Sequence, residues 1–256
     1  MIKIENVEVM GWEHAIRGMR NPLNSWEKSD SSYCIDSCDD CNNFSVCNPN
    51  DEPYFRRFWE EGSGRKDYAI GPNDHTLMTS LAKGGPVHAK YRRMIAVYLD
   101  ITAPLYFWKE FDTYKVGTAA NSCSTMHKIH AKEFTMDDFS CEHLLPMSLA
   151  NLNNTINILN IYRNTYLYGG DDFIDEWETV TYEPKNKQVW LQLIQLLPSS
   201  YNQKRTVMLN YEVLHNMYFS RKIHKLDEWR EFCKWIETLP YSEIIATREN
   251  LGSVTN

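Results

Sequence analysis

The residues of this chain that most suggest chemistry lie in its last third, where amides and a guanidinium recur along a helix predicted over residues 201–222. Asn210 and Arg221 are separated by three helical turns, so both are expected on one face, with Leu214 and Met217 between them. An amide and a cation along an apolar stripe favour a planar, anionic ligand. The alternative is a boundary helix whose Asn and Arg are simply solvated.

A second segment complements this helix, because it carries a proline at the predicted start of a helix and then a short Asn-x-x-Ser motif. The combined pattern resembles the flavin-dependent thymidylate synthases over residues 81–128 and 191–236. The matching positions are Ala103, Pro104, Asn121, Ser124, Leu197, Pro198, Thr206, Asn210, Asn216 and Arg221. In that family's pattern, arginines stand at the positions that Met126 and Ile194 hold here, and the segment before Asn121 is one residue shorter.

The resemblance implies an enzyme that binds FAD and transfers a one-carbon unit to carbon 5 of a pyrimidine nucleotide, dUMP or a related one. Arg221 is then the expected catalytic residue, because a guanidinium over the base stabilises the negative charge that develops on the ring. Arg221 also binds the substrate, together with Ser122 and Ser124. The implied cofactor-binding residues are His88, Tyr114, Lys115, Asn121, Asn210 and Asn216.

The same resemblance is consistent with a folate one-carbon donor, with NADPH as a reductant, and with a homotetramer. Two other classes of function stay open. One is a non-catalytic nucleotide-binding or assembly protein on the same fold. The other is a metal enzyme that uses a Cys or His cluster.

The Cys cluster consists of Cys34, Cys38, Cys41 and Cys47, which lie in a polar, loop-like region over residues 24–66. The first three cysteines have the spacing by which radical enzymes hold an iron–sulfur cluster, but the strand–helix alternation of a barrel is absent. Four thiolates can also close a tetrahedral zinc site. A structural zinc is therefore favoured over a catalytic cluster, with unligated thiols or a local disulfide as the remaining interpretations.

A second and weaker metal candidate follows along the chain. His127 and His130 are three residues apart, with Glu133, Glu142 and His143 nearby. Residues at this spacing on a helix can share an ion. Histidine pairs on helices are more often surface or capping residues, so a metal is the less favoured interpretation.

The elements that would position these residues indicate an α+β fold, a twisted mixed sheet packed with helices, with the Cys-rich loop as an insertion near the N-terminus. We expect one domain over residues 1–256. Strands are predicted at 2–10 and 94–101. Helices are predicted at 12–19, from an N-cap at Asp74 to Gly84-Gly85, after Pro104, and at 148–167, 186–197, 201–222 and 226–238.

Composition agrees with a globular enzyme. A chain of 256 residues can bury a substantial core. The net charge of −7 argues against a polymeric nucleic acid as partner, because phosphate backbones attract basic surfaces. The sequence has no run of 18 apolar residues and no signal-like opening, so no membrane association and a cytoplasmic location are expected.

Overall fold

The structure is a computed structural model that describes residues 1–33, 68–173 and 179–248. The strands are β1 (Lys3–Met10), β2 (Ser32–Tyr33), β3 (Tyr68–Ala69), β4 (Ala96–Pro104), β5 (Ala119–Ser122), β6 (Gly170–Phe173), β7 (Thr179–Tyr182) and β8 (Asn202–Asn210). The α-helices are α1 (Trp12–Arg20), α2 (Pro72–Lys83), α3 (Leu105–Phe111), α4 (Pro146–Tyr168), α5 (Lys187–Gln195), α6 (Tyr211–Arg221), α7 (Asp227–Ile236) and α8 (Glu243–Ala246). The predicted α+β class is confirmed.

The main sheet has four strands in the order β1-β4-β8-β5. Two small antiparallel ribbons accompany it. In the first, Ser32 of β2 lies opposite Ala69 of β3, and Tyr33 lies opposite Tyr68. In the second, β6 pairs with β7. None of the helices in the described ranges is both long and apolar enough to cross a membrane.

Most of the predicted elements agree with the structure, including the first strand and helix, the helix after Pro104, and the helices at 148–167, 186–197 and 226–238. The single helix predicted over 201–222 is wrong, because residues 202–210 form strand β8 and only α6 is helical. Burial in β8 alternates, with Val207 and Leu209 buried and their neighbours less so, as a strand in a sheet requires. The mixture of Gln, Lys and Arg concealed this period of two.

The predicted N-cap at Asp74 is also wrong. Helix α2 begins two residues earlier at Pro72, with Gly71 as its N-cap. Asp30 caps this helix from outside, because its carboxylate accepts hydrogen bonds from the backbone N–H groups of Asn73 (2.8 Å) and Asp74 (3.0 Å). The side chain of Asp74 is therefore available for a different role.

The carboxylate of Asp74 is completely buried and anchors the segment at residues 29–31 to α2. Its Oδ1 atom accepts a hydrogen bond from Arg20 Nε at 2.6 Å. Its Oδ2 atom accepts from the hydroxyl groups of Ser29 and Ser31, each at 2.6 Å. A carboxylate with this many donors is stabilised in its ionised form despite its burial.

The described residues divide into two compact units. The first comprises residues 1–3, 101–113, 121–173 and 179–206. Its core lies where α4 packs on α5. The residues of this core are Ile129, Phe134, Phe139, Leu152, Ile156, Leu159 and Leu193, with Ile194 and Tyr201 partly buried against them.

The second unit comprises residues 4–33, 68–100, 114–120 and 207–248. Helix α6 lies at its centre and contacts α7, α8 and the 3-10 helix at Ala89–Met94. Trp12 of α1 packs edge-on against Tyr211 of α6, with 5.4 Å between ring centroids. Trp229, Phe232 and Leu214 are fully buried in the same unit. The candidate site described next is built on α6.

Candidate functional site

Helix α6 carries the residues predicted to contact the ligand at its two ends. Asn210 is the N-cap, and its side-chain oxygen accepts a hydrogen bond from Val213 N at 3.0 Å. Arg221 is the last residue of the helix. Leu214 and Met217 are fully buried between them, so the predicted apolar stripe is part of the core. The apolar stripe therefore packs the helix into the core. The polar residues Asn210 and Arg221, at the two ends of the helix, make the contacts described below.

A loop at residues 114–118 runs beside this helix. At one end of the loop, the hydroxyl of Tyr114 accepts a hydrogen bond from Arg221 Nε at 2.9 Å. At the other end, Gly117 has φ +76°, and a Cβ atom there would lie 3.0 Å from Asn210 Nδ2 and 3.1 Å from Val213 Cγ2. Only glycine fits this close approach with a positive φ. The loop thus links Arg221 to the N-cap of α6.

The guanidinium of Arg221 rests on aromatic rings. Its central carbon lies 4.8 Å from the ring centroid of Trp229 and 5.5 Å from that of Tyr114. Arg221 itself is partly buried. A guanidinium held over two rings is a stacked cation, unlike the solvated arginine of the alternative interpretation.

Cys233 lies beside this group on α7, and its thiol is inert. Burial, reinforced by the charge of Glu237, raises the pKa of the Cys233 thiol to about 12. The thiol donates toward the backbone oxygen of Tyr218 at 3.9 Å. It therefore stays protonated near neutral pH and offers no nucleophile.

Two further predicted residues of the second unit are exposed. Lys115 lies in the loop next to Tyr114. Asn216 is exposed in the middle of α6, five residues before Arg221, which places it about 140° away around the helix. The structure does not bring Asn216 to the group formed by Tyr114 and Arg221. Its assignment to the flavin stays a prediction.

His88 belongs to the same unit and lies at the start of the 3-10 helix after the Gly84-Gly85 turn. It is exposed, and its ring packs so closely on Gly84 that a Cβ there would lie 3.2 Å from it. His88 N donates to Gly85 O at 3.0 Å. The structure thus gives His88 a place in a tight turn, and its contact with a cofactor stays a prediction.

The other predicted residues belong to the first unit. Asn121 and Ser122 are exposed on β5. The hydroxyl oxygen of Ser124 accepts hydrogen bonds from the backbone N–H groups of Met126 (3.2 Å) and His127 (3.0 Å), so this serine shapes the turn that follows β5. Their contacts with a nucleotide stay predictions.

The cations that could replace the two arginines of the family's pattern are Lys115, Lys128, Lys204 and Arg205. Of these, Arg205 is already paired. It forms an ion pair with Asp112 at 2.7 Å, donates from Nε to Gln203 at 3.0 Å, and stacks on Trp108 at 4.2 Å. Ile194 packs against the core of the first unit, so the position at which the family has an arginine is apolar here. An arginine there would lay its aliphatic stem against this core.

The metal candidates receive no support from the described residues. Cys34, Cys38, Cys41 and Cys47 lie outside them, so the proposed zinc site is not tested. Within residues 1–33, 68–173 and 179–248, no group of three or more His, Cys, Asp or Glu side chains could hold a metal ion. The cluster predicted around His127 and His130 does not form.

Comparison with known proteins adds to this geometry. No family model matches the sequence, and no curated protein does. The structure is similar to two crystal structures of the flavin-dependent thymidylate synthase ThyX from Helicobacter pylori with FAD and dUMP. In the first, the sequences are 12% identical, 93% of this chain and 94% of that chain are covered, and the TM-score is 0.55. In the second, the identity is 12%, the coverage is 95% and 96%, and the TM-score is 0.56.

The fold of this chain is that of the flavin-dependent thymidylate synthases. The resemblance seen in scattered sequence positions is thus confirmed at the level of the fold. At 12% identity the likeness shows the fold alone, and the site has to be argued from its own residues.

Sequence reasoning missed Trp229 and Gly117. Trp229 forms one wall of the Arg221 group, and Gly117 allows the loop to approach Asn210. A signal for Gly117 was available, because the segment before Asn121 is one residue longer than in the family's pattern and contains this glycine. No local pattern marks Trp229, since its role depends on how α7 packs against α6.

Proposed function

We propose that this protein is a flavin-dependent thymidylate synthase-like enzyme that transfers a one-carbon unit to carbon 5 of a pyrimidine nucleotide, dUMP or a close relative. The single observation that carries the proposal is the similarity in fold, which extends over nearly the full length of both chains. The structures it resembles contain FAD and dUMP. The group around Arg221 provides the chemistry that such a ligand requires.

Arg221 is the proposed catalytic residue. Its guanidinium is planar, permanently charged and held on two rings, so it can donate to the edge of a pyrimidine and stabilise negative charge on the ring oxygen and N3. A reduced flavin, when bound, supplies the chemistry that activates carbon 5 without a cysteine adduct. The protonated thiol of Cys233 agrees with a mechanism that needs no cysteine nucleophile.

The loop at 114–118 fits a flavin near this arginine. Thr118 Oγ1 is buried and has no hydrogen-bond partner among the described residues. It follows Gly117, whose missing side chain leaves the backbone close to Asn210. Buried hydroxyl groups without a partner are rare in proteins, so this loop holds an unused polar group beside its glycine turn. We assign FAD binding to this loop with Asn210, and include the predicted residues His88, Asn121 and Asn216 as expected contacts.

The remaining assignments complete the proposal. Lys115 is exposed in the loop and is the proposed contact for phosphate, with Ser122 and Ser124 at the nucleotide. A folate one-carbon donor, NADPH and a cytoplasmic location are proposed on the resemblance alone. A structural zinc on the Cys cluster is retained as a proposal for residues beyond those described.

A non-catalytic nucleotide-binding or assembly protein is the second candidate. The apolar packing of Ile194, where the family has an arginine, favours it. Such a protein would bind dUMP without oxidising a flavin. The two candidates therefore differ in flavin chemistry.

We expect apo-protein to bind FAD saturably but weakly, because Asn210 and the glycine turn are present while two of the family's arginines are absent. The measurement is a titration of protein fluorescence and flavin absorbance with FAD. Saturation at micromolar to several hundred micromolar FAD supports the enzyme. A linear response up to that range excludes it and leaves the non-catalytic candidate. Riboflavin in parallel separates recognition of the ring from that of the diphosphate.

We expect a homotetramer, and helix α4 supports this. Its 23 residues include one charged side chain, Arg163, while Met147 is 86% exposed and Ile161 is 59% exposed. Exposed apolar side chains on a nearly uncharged helix are typical of a subunit contact.

Light scattering should give four times the mass of one chain. A monomer at working concentration contradicts sites shared between subunits. Ile161→Glu should dissociate the assembly, and Ser148→Glu, at an exposed position about 140° away around the same helix, serves as its control.

A further inference from the structure

Tyr114 and Trp229 both contact the guanidinium of Arg221. The hydroxyl of Tyr114 accepts its Nε–H at 2.9 Å, and the rings of Tyr114 and Trp229 lie 5.5 and 4.8 Å from its central carbon. The two ring centroids are 6.0 Å apart, with planes tilted by 59°. The hydrogen bond at Nε and the two aromatic rings therefore act on the same guanidinium.

The ring of Trp229 is itself fixed. It is fully buried in the first turn of α7 and packs edge-on against Phe232, with centroids 5.9 Å apart. His224 packs edge-on against it from another side at 6.4 Å. Because the ring of Trp229 is held in place, it restricts the position of the guanidinium that packs on it. Free arginine side chains have several rotatable bonds, and the contacts seen here restrict the last of them.

The hydroxyl of Tyr114 is the second fixed point. It accepts a hydrogen bond from the Nε–H group of Arg221, the guanidinium donor nearest the aliphatic part of the side chain. This bond determines which edge of the guanidinium faces away from Tyr114. This bond gives Tyr114 a contact with Arg221 beside the predicted contact with the cofactor, which stays a prediction.

We propose that Tyr114 and Trp229 are positioning residues that fix the plane of the Arg221 guanidinium for the pyrimidine nucleotide. The inference rests on the proposed function, since it concerns how the arginine of that site is oriented. Pre-organisation of a charged fork lowers the ordering cost of binding and keeps its donors aligned with the ligand. Neither residue needs to touch the nucleotide.

The test is Tyr114→Phe, which removes the hydroxyl and keeps the ring. With FAD present, the full-length variant should bind dUMP about tenfold more weakly than the wild type, because the hydrogen bond to a charged group is lost. Tyr218→Phe is the matched control. Tyr218 also lies on α6, but its hydroxyl is engaged elsewhere: it donates to Glu237 at 2.6 Å, and Lys222 lies over its ring at 5.3 Å. Its dUMP affinity should stay within twofold of the wild type.

A double-mutant cycle separates positioning from a structural role. If Tyr114 acts through the fork of Arg221, then Tyr114→Phe should change dUMP affinity by no more than about twofold in an Arg221→Lys background. Equal effects in both backgrounds would overturn the proposal, because they would mean that Tyr114 acts independently of Arg221.

A readout that needs no ligand distinguishes this inference from the proposed function. In protein labelled with ¹⁵N-arginine, the Nε–H signal of Arg221, identified by its loss in Arg221→Lys, should be protected from exchange. Tyr114→Phe should remove that protection, whereas Tyr218→Phe should not. An unchanged signal in Tyr114→Phe overturns the positioning role even where dUMP binds. If the Nε–H signal behaves as expected in both variants but the wild type does not bind dUMP, the proposed function is overturned instead.

Discussion

Asp74→Asn is expected to lower the free energy of unfolding by about 3–5 kcal/mol, the range for removal of one partner from a buried ion pair. Asp74 is completely buried and Arg20 is 5% exposed, so the variant leaves a buried guanidinium without its carboxylate. It also turns one oxygen acceptor into an amide donor among the hydroxyl groups of Ser29 and Ser31. For a chain of this size the melting temperature should fall by roughly 6–20 °C.

The measurement is unfolding by heat and by urea, with Glu13→Gln as the control. Glu13 also faces an arginine, Arg17, at 4.0 Å, but both side chains are largely exposed. Its loss should cost less than about 1 kcal/mol, as exposed ion pairs do. Equal costs for the two variants would mean that the buried network at Asp74 contributes no more than a surface pair.

The effect of Asp74 should depend on pH in a defined direction. Burial alone would raise the pKa of this carboxyl, but the hydrogen bonds from Ser29, Ser31 and Arg20 and the charge of Arg20 outweigh burial and hold the pKa below its ordinary value of 3.8. A carboxyl whose pKa is lower in the folded state than in the unfolded state stabilises the fold at pH values above its unfolded-state pKa. This stabilisation is lost as the pH falls through the folded-state pKa. The difference in the free energy of unfolding between the wild type and Asp74→Asn should therefore be largest at neutral pH and should shrink below about pH 4.

Elements with strong local periodicity could be predicted from the sequence. Helices α4, α5 and α7 were found because each is a continuous helical stretch, and α3 because Pro104 precedes it. Strand β8 was not found. Its Gln, Lys and Arg residues are good helix formers, and the sheet overrides this propensity by placing β8 between β4 and β5.

Asp74 illustrates a different limit. A carboxylate at the start of a helix is a reasonable N-cap by sequence, and Asp74 lies only three residues after the true cap. Its actual partners, Arg20 and Ser29, are more than forty residues away along the chain. Long-range polar networks of this kind leave no local pattern.

Part of the candidate site could also be predicted from the spacing of residues in the sequence. The spacing along α6 identified Asn210 and Arg221, and the structure places them at the two ends of that helix. The resemblance added Asn216 to them, although it lies about 140° from Arg221 around the helix. Tyr114 was selected by resemblance, and the structure supplies its partner. The contribution of Trp229 follows only from the packing of α7 on α6.

Arg221→Lys is expected to reduce turnover by about tenfold to a few hundredfold, equivalent to one to a few kcal/mol of transition-state stabilisation. Lysine keeps the charge and can rest against Trp229, so the melting temperature should change little. It lacks the planar fork, and with it the Nε–H that now bonds to Tyr114. The loss should therefore appear in dUMP binding and in flavin oxidation, and FAD affinity should be unaffected.

The control is Arg17→Lys, in the last turn of a helix as Arg221 is, but with a side chain that is 62% exposed and contacts Glu13 at 4.0 Å and His14 at 3.1 Å. Lysine there should be neutral in stability, binding and turnover. Measuring nucleotide affinity, flavin oxidation and melting temperature for both variants separates a site arginine from a surface arginine. If Arg221→Lys matches Arg17→Lys in all three, then the guanidinium on Trp229 only stabilises the fold. In that case the similarity to ThyX would not extend to the catalytic arginine, and the non-catalytic candidate would replace the enzyme.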